Sequence, residues 1–240
     1  MSENRLYAFG PAIITLRGLN ANQIAHEFSF LSSIPSSQCH DPLGFFDFKQ
    51  NGAEFDLHVD GKPVAGAAPL SFLAEYTWSK VQSLLARSRP DLLFLRGEVV
   101  QLASGGGILL AGPAFSGQTT LARALGGQSW SSHYAVLGPD GQARRYPQLD
   151  SEALPVSLIS TLRYRPGASL SADLLTPGPC ALALTALLEG DEGVVARALS
   201  ILAGASSRAV ARLAGVRGEA HEAVQTLRSY LERAGPSRPE

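Results

Sequence analysis

Eight consecutive residues restrict this chain more than any other feature. Gly112-Pro113-Ala114-Phe115-Ser116-Gly117-Gln118-Thr119 keeps the spacing of a phosphate-binding loop, G-x-x-x-x-G-K-[ST], with glutamine at the lysine position. The apolar run Ile108 to Ala111 enters the first glycine and has the length of a buried strand, and Thr119 to Leu125 leaves the second with helical character. A strand, a tight glycine curl and a helix in that order point backbone N–H groups and the helix dipole at one place, which suits an anion. The alternative is an ordinary glycine turn between a strand and a helix. In either case the strand needs a sheet around it, so the expected class is α/β.

The rest of the chain divides around this unit. In residues 1–88, β-favouring runs at Ala12 to Leu16, Gly44 to Phe48 and Phe55 to Val59, then an Asp60-Gly61 turn and Lys62 to Val64, predict a β-rich N-terminal lobe. Apolar positions from Leu70 to Ala86 recur at helical spacing, and Pro90 stops the pattern, which predicts a linking helix. Residues 89–234 form the expected core. Leu92 to Leu95 and Val99 to Leu102 read as two strands, Gly105-Gly106-Gly107 as a turn, and Ile108 to Ala111 as the strand that closes a hairpin. Tyr134 to Leu137 and Gln142 to Tyr146 flank a Gly138-Pro139-Asp140-Gly141 reversal, Leu158 to Tyr164 reads as a further strand, and from Pro179 to about Arg233 the chain reads as helical. Residues 235–240 read as a frayed tail.

Several function classes are disfavoured. A formal net charge of -1 argues against a nucleic-acid binder that works by bulk charge. The opening MSENRLYAFGP has no signal core, and the longest apolar run, Cys180 to Leu188, is too short to span a bilayer, so a soluble cytoplasmic protein is expected, with no membrane partner. Two cysteines, Cys39 and Cys180, lack metal or disulfide spacing and read as ordinary buried thiols.

In the loop, Gly112 and Gly117 permit the curl, Ser116, Gly117, Gln118 and Thr120 are candidate phosphate contacts, and Thr119 stands where a hydroxyl ligates magnesium if a nucleotide binds. Losing the lysine removes a charge that would lie about 4 Å from phosphate oxygens, worth about 4 kcal/mol at an effective dielectric constant of roughly 20. Gln118 can still donate hydrogen bonds, so binding through the backbone survives more easily than transition-state stabilisation. Arg96, Arg123, Arg163 and Arg165 are candidate substitute cations, each of which also reads as a solvated surface arginine.

These stretches, in this order, resemble the HPr serine kinase/phosphorylase superfamily and its short bacterial relatives: Asp91-Leu92-Leu93-Phe94-Leu95, Gly107 to Thr120, Tyr134-Ala135-Val136-Leu137, Leu162-Arg163-Tyr164-Arg165-Pro166-Gly167-Ala168, and Arg217-Gly218-Glu219-Ala220. The resemblance implies an HPr-kinase-like P-loop core of mixed sheet and helices, a β-rich N-terminal lobe and a helical C-terminal part. It also marks three departures. Arg96 stands where such proteins carry a histidine, Gln118 replaces the lysine, and Ser132 and His133 replace the aspartates expected to hold magnesium and act as base. His133 could accept a proton from a hydroxyl, or could be structural. Glu98 could compensate as the acid if strand alternation turns it toward the loop; Asp140, Asp150 and Glu152 are the other candidate carboxylates.

Three functions follow from the resemblance. The leading one is a catalytically degenerate kinase-like protein that binds ATP or GTP with magnesium weakly, or binds a protein or peptide partner. The second is an active ATP-dependent phosphotransferase acting on a serine or similar hydroxyl, with relocated catalytic groups. The third is a protein-interaction domain that does not use nucleotide, with Phe115 filling the phosphate site. Such proteins often form oligomers, and Leu199, Leu202, Val210 and Leu213 could serve a homo-oligomer or simply close the core.

Overall fold

A computed structural model describes residues 5–34, 41–103, 105–131, 133–150, 152–165, 169–189, 193–206, 209–215 and 220–234. Its contacts divide the chain into two units, Met1–Arg89 and Pro90–Glu240. Both are mixed α/β, with six helices among the described residues.

The first unit contains β1 (Arg5–Phe9), β2 (Ala12–Arg17), α1 (Ala21–Glu27), β3 (Ser32–Ser33), β4 (Gly44–Asn51), β5 (Glu54–Val59), β6 (Lys62–Ala68) and α2 (Leu70–Ser88). One sheet runs β3-β1-β2-β4-β5-β6, parallel between β2 and β4 and antiparallel elsewhere. Alternation sends Ile14, Leu16, Phe46, Phe48, Leu57 and Val59 inward, where Leu73, Val81 and Leu85 of α2 are also buried. The Asp60-Gly61 turn has positive φ at both residues, 51° and 77°, as a tight two-residue hairpin requires. The predicted strands and linking helix are all present. β1, α1 and β3 were not foreseen, although α1 carries its own start signal: Asn20 Oδ1 accepts from the Gln23 N–H at 3.0 Å while Asn20 N–H donates to Gln23 Oε1 at 2.9 Å.

The second unit contains β7 (Leu93–Gln101), β8 (Gly107–Ala111), α3 (Gln118–Leu125), β9 (Gln128–Ser131), β10 (Tyr134–Leu137), β11 (Ala143–Arg144), β12 (Ala153–Leu154), β13 (Val156–Tyr164), β14 (Ser171–Leu174), α4 (Pro177–Thr185), β15 (Leu188–Glu189), α5 (Val194–Ser206), β16 (Ala209–Gly215) and α6 (Ala220–Ala234). The sheet runs β12-β11-β10-β7-β8-β13-β16-β14, and β9 and β15 also pair with β7. β8, β13 and β16 are parallel to one another and the remaining pairs are antiparallel. On one face Leu93, Leu95, Val99, Leu109 and Ile159 pack with Cys180, Leu184, Ala198 and Leu202 of α4 and α5. On the other, Val100, Ile108, Leu110, Leu158 and Leu162 pack with α3 and α6. Helices therefore cover both faces of the strand that feeds the loop.

Three expectations change here. The runs at Leu92 to Leu95 and Val99 to Leu102 are one strand, because Arg96-Gly97-Glu98 stays in the ladder: the first half of β7 pairs with β10 and the second with β8. The C-terminal part is not wholly helical. Ala209–Gly215 is a strand in the parallel core, in register with Leu158 to Tyr164 of β13. Alanine is a strong helix former, but propensity is a weak determinant, and a seven-residue run with neighbours to pair with on both sides is decided by the sheet. Consequently Val210 and Leu213 belong to a strand, not to a helical face; Leu213 is buried, and the Val210 side chain lies outside the description. The hairpin strand predicted over Gln142 to Tyr146 shortens to Ala143–Arg144. The 235–240 tail lies outside the described residues.

Candidate functional site

The loop has the conformation its glycines allow. A Cβ at Gly112 would collide with Ser116 Oγ and come within 2.9 Å of the Leu162 carbonyl oxygen, so only glycine lets the loop close onto the end of β13. The Gly112 N–H donates to Arg96 O at 3.1 Å, and the Ser116 N–H to Pro113 O at 3.2 Å. Gly117 is the N-cap of α3 with φ 96° and offers no side-chain cap. The first helical bond runs from Leu121 N–H to Gly117 O, at 3.0 Å, which leaves the N–H groups of Gln118, Thr119 and Thr120 without helical acceptors. Ser116 Oγ is buried without a hydrogen-bond partner. N–H groups without helical acceptors and a glycine-dependent curl suit the oxygen-rich surface of a phosphate.

Phe115 at the apex has φ 65° and is 81% exposed. A bulky residue in the left-handed region costs about 1 kcal/mol that glycine avoids. Phe115→Gly is therefore expected to leave thermal stability unchanged or raise it slightly, the relief being partly offset by the unfolded-state entropy of glycine; a large fall in a melting experiment would mean that the ring holds the loop.

Gln118 turns back onto the loop. Its Nε2 donates to Gly112 O at 2.7 Å and to Pro113 O at 3.1 Å. Two carbonyl partners identify this terminus as the NH2 group, and an amide nitrogen has only two hydrogens. Both are spent on the protein. A lysine ammonium in the same place would have three donors and a full charge, enough to hold the loop and still reach a phosphate.

Strand β7 brings the acid. Val100 and Leu110 lie on the α3 face, and Glu98, two residues from Val100 and paired with Leu110, shares it. Glu98 is 6% exposed. Burial pushes its carboxyl above the ordinary 4.5, opposed by hydrogen bonds from Ser129 and Thr119 and by the charges of His133 and Arg123. Ser129 Oγ donates to Glu98 Oε1 at 3.3 Å. Thus Glu98, Thr119 and Ser129, distant in sequence, are joined by hydrogen bonds beside the start of α3, and His133 acts on Glu98 through its charge. His133 has φ 73°, and its carbonyl accepts from Gly97 N–H at 3.3 Å, which pins it beside Glu98.

Glu98 has a pH consequence. Its folded carboxyl holds its proton to higher pH than the unfolded one, so the folded state binds more protons in that window and its stability falls as pH rises from 4.5 through the raised value. Glu98→Gln removes this slope. The melting temperature of the variant is expected to gain on that of the wild type as pH rises across the window; parallel pH profiles would contradict it.

The other candidates are placed as follows. Arg96 reaches Glu189 Oε2 at 3.7 Å, away from a role as substitute cation, and burial, with the charge of Glu189 beside it, pushes the Tyr134 hydroxyl up to about 12. Arg123 is exposed on the last turn of α3, and Arg163 and Arg165 are exposed at the end of β13, which leaves the parallel sheet beside Gly112. Asp140 is spent on Arg144, at 2.7 Å, and on the Gln142 N–H. Burial pushes the Cys180 thiol up to about 11, so it is an inert core residue. Cys39, Ser132, the Pro166-Gly167-Ala168 stretch and Arg217-Gly218-Glu219 lie outside the described residues. Among the described residues no three His, Cys, Asp or Glu side chains form a metal cluster, and no helix is long and apolar enough to cross a membrane. Sequence reasoning missed Ser129, because β9 is short and polar; its only signal is a Gln128-Ser129-Trp130-Ser131 alternation around one buried aromatic. No protein-family model matches the chain, and no curated protein matches it.

Proposed function

We propose that the second unit is a catalytically degenerate P-loop module of the HPr serine kinase/phosphorylase kind, acting in the cytoplasm, which keeps a phosphate cradle for weak binding of ATP or GTP or for a protein or peptide partner. The observation that carries this is Gln118, whose two amide hydrogens are both taken by Gly112 O and Pro113 O. The cradle keeps its shape while the group that would meet a transferring phosphate is consumed by the loop. Phosphoryl transfer depends on positioning and charge, and here the charge is gone. Calorimetric titration with ATP and with GTP, with and without magnesium, beside a Thr119→Ala control, tests it. Weak saturable binding, further weakened by the control, is expected, with no phosphate transferred. Absence of binding at millimolar nucleotide would leave only partner binding.

A second reading, an active phosphotransferase with relocated groups, is favoured by the meeting of Glu98 with Thr119. A buried carboxylate of raised pKa beside the hydroxyl that would ligate magnesium could serve as metal ligand or base. Transfer of labelled phosphate from magnesium-ATP to a hydroxyl acceptor, lost in Glu98→Gln, would establish it.

A further inference from the structure

A cavity of about 440 Å³ lies at the end of α3 farthest from the loop. Its walls include Leu102 after β7, Leu125, Gly126 and Gly127 at the close of α3, and Arg228 and Leu231 of α6. Small-molecule sites are of this size and mostly apolar, with a few polar groups that orient the ligand. The sequence builds the cavity through a glycine pair. Gly126 ends α3 with φ 70°, and a Cβ at Gly127 would collide with Gln101 O and Val100 Cγ1, so only glycine lets the chain leave α3 this close to β7. Leu102 and Leu231 stay partly exposed where they border the core. Arg228 is the one charged residue of the lining. It is exposed, and among the described residues it has no hydrogen bond or ion pair, Glu232 one turn further along α6 included. The Gly127 N–H likewise donates to no described backbone carbonyl.

We propose that this cavity is a binding site for a small aliphatic carboxylate. The planar guanidinium of Arg228 matches a carboxylate with two donors, and the Gly127 N–H can add a third, while Leu102, Leu125 and Leu231 take the hydrocarbon. Charge narrows the class further. Arg228 repels a cationic amphiphile, and the carbonyl end of α3, with about half a negative charge, opposes a dianion such as phosphate more than a single carboxylate. The site uses neither the loop nor Glu98, so the inference stands whether or not nucleotide binds.

Titration of the nitrogen-15-labelled whole chain with octanoate, followed by amide NMR, tests it. Saturable shifts are expected at Gly126, Gly127 and Leu231, with a Kd of about 1 mM or below. Arg228→Gln is expected to weaken binding at least about tenfold, and Arg228→Lys, which keeps the charge without the fork, to weaken it less. Because the side chain is exposed and unpaired, both variants are expected to melt like the wild type. Octylamine, with the same hydrocarbon and the opposite charge, and inorganic phosphate are expected to leave these amides unmoved at the same concentrations. The absence of a saturable octanoate shift there, equal binding of octylamine or phosphate, or a folded Arg228→Gln that holds octanoate as tightly as the wild type overturns the inference.

Discussion

Gln118→Lys, combined with His133→Asp, is expected to tighten magnesium-ATP binding by about thirtyfold or more, corresponding to about 2 kcal/mol. A charge near phosphate oxygens is worth about 4 kcal/mol at an effective dielectric constant of roughly 20, and exposure of the loop to solvent and salt discounts it by about half. The lysine would donate to Gly112 O and Pro113 O as Gln118 does and keep one donor for the ligand. His133→Asp adds a hard oxygen at a position whose charge already acts on Glu98, and aspartate tolerates the positive φ of 73° there. Calorimetry with the double variant and each single one reads the effect. Unchanged affinity in all three would mean that the loop is not a phosphate cradle.

Gly112→Ala is expected to cost about 3 kcal/mol, or roughly 10 °C in melting temperature, and to abolish whatever nucleotide binding the wild type has. The added methyl collides with Ser116 Oγ and lies 2.9 Å from a backbone oxygen, Leu162 O, in the core sheet, which cannot swing away as a side chain end can. Either the loop lifts, breaking the Gln118 bonds and the 3.1 Å bond from Gly112 N–H to Arg96 O, or β13 shifts against β8. Melting of the variant within 2 °C or so of the wild type would show that the loop packs less tightly than described. Gly117→Ala makes a useful contrast. Nothing lies within 4 Å of a Cβ there, so only its φ of 96° resists the change, and a smaller loss follows.

Much of this was legible in the sequence where local chemistry decides the outcome. The strand, curl and helix from Ile108 to Leu125 could be read because apolar run, glycines and helix formers change at sharp boundaries, and the Asp60-Gly61 hairpin because few other residues adopt its backbone. β16 could not. Its Ala-Val-Ala-Arg-Leu-Ala-Gly run has helix-favouring composition, and only pairing with β13 and β14 makes it a strand. The loop residues of the candidate site are read from spacing alone. The meeting of Glu98 with Thr119, Ser129 and His133 depends on which way β7 faces, and that follows from its pairing with β8, which no local pattern reveals. The direction of the Gln118 side chain was likewise hidden, since an amide can serve a ligand or its own loop and the sequence is the same in both cases.

The direction of that amide is the centre of the account. Nitrogen-15 NMR of the side-chain NH2 groups, with the Gln118 pair assigned by its disappearance in Gln118→Ala, measures it directly through the rate of hydrogen exchange with water. Both Gln118 protons are expected to exchange at least about tenfold more slowly than those of the exposed glutamines, and to stay slow when magnesium-ATP is added, because Gly112 O and Pro113 O hold them. Exchange as fast as that of a free surface amide, or protons that shift to a new environment as nucleotide saturates, would mean that Gln118 serves the ligand rather than the loop, and the proposed degeneracy would fall.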